Sequence, residues 1–250
     1  MRADHEAAMR ATESTADEAL RRISERVAAS VKVWKDKMLV ADWQSLTSNL
    51  NYPIPLLPDR FRSAMLEASE WLLAKDWPAE FPLVREAFGR FREVLDAITA
   101  HILETFDRDG DQRWELERKH KRIDWNPELY EELAAEFQLE CAITWCLTIE
   151  LTKAANLVVR AVREEIEPFY RFDEGVLLAR DGDGIINMQI VRLEYEDHEW
   201  GDKLPAIDVE RWRAIIQAEA EERRERPDAI SPSVMVSIIN GQLSRGVGGE

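Results

Sequence analysis

From Pro127 to Pro168 no glycine or proline interrupts the chain, and this single stretch decides the fold class. Asn126-Pro127-Glu128 reads as a helix start, with an N-cap side chain, a proline at the first helical position and an acid in the first turn. A helix over about 127–167 spans roughly 60 Å at 1.5 Å per residue. Between Phe137 and Val162 it is apolar on nearly every side, broken by Glu140, Glu150, Lys153 and Asn156. Those interruptions argue against a membrane span. A helix apolar all round must instead be covered by other elements. The expected fold is therefore mainly α, an irregular multi-helix bundle around a long central helix.

The rest of the chain supplies the cover. No glycine or proline precedes Pro53, and Ala16, Leu20, Ile23, Val27, Val31, Trp34 and Met38 recur at helical spacing. This predicts a long N-terminal amphipathic helix within residues 1–52, ending near Ser48 or Asn49. Its stripe needs a partner, either the body of the protein or another chain. Residues 53–250 form the expected core domain, with an acidic C-terminal part. Asp59 is a candidate N-cap for a helix to about Lys75. Val84, Phe88, Phe91, Leu95, Ile98, Ile102 and Phe106 predict another, ending in the Asp107–Asp111 turn. Paired Asp-Gly steps at Asp181–Gly184 between apolar runs predict a small β-hairpin near 176–195. Helices from Asp208 to about Arg226 and from Pro232 to about Asn240 close the chain.

Charge is unevenly distributed. Of the net −16, residues 126–250 contribute 13 basic against 26 acidic side chains, whereas residues 1–58 are neutral. Such a field repels nucleic acid and anionic membranes and favours basic protein surfaces. The two cysteines, Cys141 and Cys146, fall in the apolar helix, where a five-residue offset points them apart, so no disulfide is expected. The first residues lack the apolar run of a signal peptide. The expectation is a reducing, cytoplasmic location.

Several residue clusters could carry chemistry. Asp107, Asp109 and Asp111 open like a calcium loop, but Gln112 and Arg118 stand where the glycine and the bidentate glutamate belong. Glu117 and His120 lie one helical turn apart, as a carboxylate–imidazole pair does in metal-binding bundles, yet in a highly charged run better read as a solvated face. Glu194, Glu196, Asp197, His198 and Trp200 make an acidic, partly aromatic segment suited to a cation or a basic partner. His198, His120 and Glu117 are the candidate catalytic groups. Asp107, Asp109 and Asp111 are the candidate metal ligands, and no cofactor motif is present.

The favoured functional reading is a non-enzymatic helical adaptor or regulatory subunit. It would act through Leu20, Ile23, Val27, Val31 and Trp34 on the first helix and through Glu194, Glu196, Asp197 and Trp200 in the acidic half. The partner is a protein with a basic surface or a second copy of the chain. One alternative is an acidic, immunity-type inhibitor that masks a basic surface. The other is an all-α, metal-dependent hydrolase or nuclease.

Overall fold

The computed structural model describes residues 2–181, 189–195 and 204–246. Among them are seven α-helices: α1 (Arg2–Lys37), α2 (Trp43–Leu50), α3 (Asp59–Leu73), α4 (Pro82–Thr105), α5 (Pro127–Glu165), α6 (Val209–Arg223) and α7 (Pro232–Gly246). The protein is mainly α, and α5 is its long central helix. Asn126 caps it, its side chain accepting a hydrogen bond from Leu129 N at 3.3 Å. From Glu140 to Val162 every residue except Arg160 is buried, under α2, α4, α6 and α7. By length and composition α5 could cross a membrane, but its most apolar window is wholly covered by the protein itself.

Polar side chains on this helix are accommodated individually. Thr144, Thr148 and Thr152 each donate to the carbonyl four residues back, so their hydroxyls need no outside partner. Asn156 receives Leu177 N on its oxygen at 2.7 Å and donates to the carbonyls of Leu177 and Leu193 at 2.8 and 2.7 Å. Glu150 pairs with Arg90 of α4 at 2.6 Å and accepts from Tyr195 Oη at 2.5 Å. Burial opposes the Arg90 charge, but Tyr195 and Glu150 more than offset it and raise its pKa. Lys153 Nζ lies 5.6 Å from the centre of the Tyr195 ring. Arg90 also donates to Pro205 O at 2.7 Å, so one buried guanidinium ties α4 and α5 to two separate later segments.

The N-terminal helix departs from expectation. It ends at Lys37, because Leu39 adopts a left-handed conformation (φ 49°), and a short 3-10 turn, Val40–Asp42, leads into α2. The bend turns Trp43, Leu46 and Leu50 into the core, where Trp43 Nε1 donates to Thr152 at 3.3 Å. A straight helix would have carried these side chains past it. Asp59 is likewise not an N-cap. It is the first residue of α3 and accepts from Trp114 Nε1 at 2.6 Å.

Among the described residues two small sheets complete the fold. The expected hairpin is present as β4 (Leu178–Asp181) and β5 (Gln189–Arg192), antiparallel with Leu178 opposite Arg192. Asn156 holds the outer ends of this hairpin to α5. A three-stranded antiparallel sheet was not legible in the sequence. It joins Leu56–Pro58 (β1) to Arg113–Leu116 (β3), which also pairs with Phe106–Arg108 (β2). Strands of three or four residues, one ending in proline, give too short an alternation to read.

Candidate protein-binding crevice

The buried run of α5 does not begin at its N-terminus. Residues 127–139 are exposed or half-buried, because this first third extends beyond the cover of α2 and α7 and is flanked by α6 and by the 3-10 turn Lys119–Lys121, whose His120 packs on Tyr130 and Phe137. Asp208 starts α6, accepting from Arg211 N at 3.0 Å, and Trp212, Ile215 and Ile216 anchor its inner face. The outer faces of α5 and α6 leave a crevice between them.

The crevice has two parts that share Glu136. One is a cavity of about 470 Å³ with Ala135, Leu139, Ala220 and Pro227 providing its apolar surface. Around it stand Glu132, Glu136, Glu221 and Glu225, with Arg224 the one cation among its described lining residues and Lys119 held to Glu136 at 2.7 Å from the neighbouring part. The other is a more polar cavity of about 320 Å³, walled by α5, α6, the end of α4 and β3. Its lining includes Glu104, Glu117, Glu140, Glu210, Lys119 and Arg213, with Leu133 and Phe137 beside them. The whole is an acidic groove over an apolar base.

A buried polar cluster fixes the geometry where the two helices meet. Arg213 of α6 is ion-paired to Glu140 of α5 and reaches Glu210 at 3.2 Å. Behind them, His101 Nε2 and Thr144 Oγ1 are 2.8 Å apart. Because the threonine hydroxyl already donates to Glu140 O, the histidine must donate, which leaves its Nδ1 as an acceptor. That Nδ1 lies 3.7 Å from Glu140 Oε2. Burial, then the nearby Arg213 charge, lowers the His101 pKa to about 3, so the ring is neutral.

The residues singled out from sequence are scattered. Val27, Val31 and Trp34 lie in the protein's own core, Trp34 edge-on to Phe88 and Phe91, and are not an exposed interface. The stripe is covered from Val27 onward because α1 crosses α3 and the aromatic face of α4 there. Ile23 is half-buried and Leu20 is 46% exposed, so only the earlier part of the stripe is open. Glu194 is half-buried and ion-paired to Arg192, while Glu196, Asp197, His198 and Trp200 lie outside the described residues.

His120 is buried rather than on a solvated face, with its ring edge-on to Tyr130 and Phe137. Burial, with Lys121 and Arg118, lowers its pKa. Glu117 lines the polar cavity and is paired with Arg122 at 3.1 Å. Asp107 is also paired with Arg122, and Asp109 with Arg113, while Asp111 is exposed in the β2–β3 turn. Each of the paired carboxylates has an arginine where a metal reading needs a cation. Among the described residues no three His, Cys, Asp or Glu side chains are grouped to hold a metal ion.

Sequence reasoning missed Glu132, Glu136, Leu139, Glu221 and Glu225. Their signal was an acidic first third on the central helix and an acid-rich stretch on and just after α6, but nothing in the sequence says that these two faces adjoin. No protein-family model matches the chain, and no curated protein or solved structure is similar to it. The functional reading therefore rests on the crevice alone.

Proposed function

We propose that this chain is a non-enzymatic adaptor or regulatory subunit whose α5–α6 crevice receives a basic amphipathic helix of a protein partner. The observation that carries this reading is the pairing of apolar surface at Ala135, Leu139, Ala220 and Pro227 with four surrounding glutamates and a single arginine. A helix laid in such a groove buries its apolar face on that surface and points lysines or arginines at Glu132, Glu136, Glu221 and Glu225. The rim charges would speed association and select against acidic partners. They also agree in sign with the net charge of −16.

The same groove serves an inhibitor that masks a basic surface, and the two readings differ in how much affinity is apolar. A synthetic amphipathic helix of leucine and lysine is the direct probe. Isothermal titration should show saturable binding, weakened about tenfold by Leu139→Asp and by the pair Glu221→Lys/Glu225→Lys. Moderate salt should leave measurable affinity, because the leucines remain buried. Affinity that vanishes with salt favours the masking reading, and binding unaffected by both substitutions removes the crevice from either.

A further inference from the structure

We propose that the outlying part of α1 pairs antiparallel with the same part of α1 in a second copy of this chain; the crevice plays no part in this contact. Residues 17–22 are all exposed, and since successive helix residues point about 100° apart, these six face every direction. No described element covers the helix there. Yet α1 begins at Arg2, so from Arg2 to Arg26, just before its stripe enters the core at Val27, it runs for roughly 37 Å at 1.5 Å per residue. The stripe does not stop where the cover stops. Ile23 is half-buried, Leu20 is 46% exposed, and in the sequence Met9 and Ala16 continue the same helical spacing. A helix with one apolar stripe and no cover of its own buries that stripe on a partner.

Charge identifies the partner. Residues 27–250 carry 28 basic and 43 acidic side chains, so two copies repel one another through their bodies. Residues 1–26, with five basic and six acidic, are nearly neutral and are where the copies can approach. Within this arm the signs are segregated. Residues 1–19 hold five acids against Arg2 and Arg10, whereas residues 20–26 hold Arg21, Arg22 and Arg26 against Glu25. The arm is therefore complementary to itself reversed. A parallel pair would set the three arginines against their own copies, whereas an antiparallel pair sets them beside the acidic segment. The existing partners of Arg21 and Arg22 are Glu25 and Glu18 on the same helix, with all four side chains more than half exposed, so exchanging them across an interface costs little. Antiparallel order also keeps the two acidic bodies at opposite ends of the arms, well beyond the screening length of about 8 Å at physiological salt. The contact is two-fold symmetric and closes at two chains.

Sedimentation equilibrium of the full chain, at concentrations in the tens of micromolar, should give the mass of two chains. Leu20→Asp should raise the dimer dissociation constant about tenfold or more. Because Leu20 lies outside the core, the helical circular dichroism and the unfolding of the body should stay as in wild type. Arg21→Glu/Arg22→Glu should weaken the dimer comparably, and adding Asp4→Arg/Glu6→Arg to the same chain should restore it, since the two segments then carry exchanged signs. In a parallel pair neither change would alter the balance. Leu139→Asp, in the crevice, should leave the dimer intact. The mass of one chain throughout, a dimer indifferent to Leu20→Asp, or a dimer abolished by Leu139→Asp overturns the inference. Failure of the second reversal to restore what the first removes overturns the antiparallel order.

Discussion

Asn156 shows how a single side chain decides where a distant element sits. Its amide group satisfies Leu177 N, Leu177 O and Leu193 O at the open end of the β4–β5 hairpin. Replacing it with alanine strips three buried backbone groups of their partner. Asn156→Ala should therefore cost about 3 kcal/mol or more in urea unfolding, with the largest loss of hydrogen-exchange protection near Leu177 and Leu193. His101 makes a different kind of prediction. Folded, it takes up a proton only near pH 3, whereas unfolded it does so near 6.5. Between those values the unfolded chain holds more protons, so its contribution to stability is complete above about 6.5 and is lost as pH falls toward 3. The limit is about 1.4 kcal/mol per pH unit. Urea unfolding of wild type and His101→Leu at about pH 7 and about pH 5 should show the wild type losing more of its stability. A parallel loss in both would contradict the assignment of a neutral, buried ring.

Helices were legible wherever periodicity was long. The breaker-free run set the start of α5 at Pro127, and the seven apolar residues from Val84 to Phe106 all proved buried. What failed to show were features created by contact. The left-handed Leu39 that ends α1 serves tertiary packing of Trp43 and Leu46, which no local pattern announces. The crevice was equally hidden, since Leu139 and Ala220 are ordinary stripe residues until α5 and α6 are placed together. Two tests separate the parts of these elements. In α1, Trp34→Ala should cost about 3–5 kcal/mol, because Trp34 is fully buried between Phe88 and Phe91. Leu20→Ala should stay within about 0.5 kcal/mol, because that turn is open to solvent. Between α4 and α5, Arg90→Met alone should cost about 3–5 kcal/mol by leaving Glu150 without its cation. The double variant with Glu150→Met should recover part of that loss in a mutant cycle.

Taken together, the chain is a helical body with an acidic groove where the first third of α5 meets α6. The core from Val27 to Leu243 forms one connected cluster, so the bulk of the molecule positions rather than recognises. Part of the acidic surplus of the C-terminal half lines the groove where α5 emerges from its cover and α6 runs beside it. Hydrogen exchange on the full chain, with and without the leucine–lysine helix, tests this most directly. The account predicts added protection confined to residues 128–140 of α5 and to residues 209–225, α6 and the two residues that follow it. Protection centred elsewhere, or none at a saturating concentration of the helix, would contradict it.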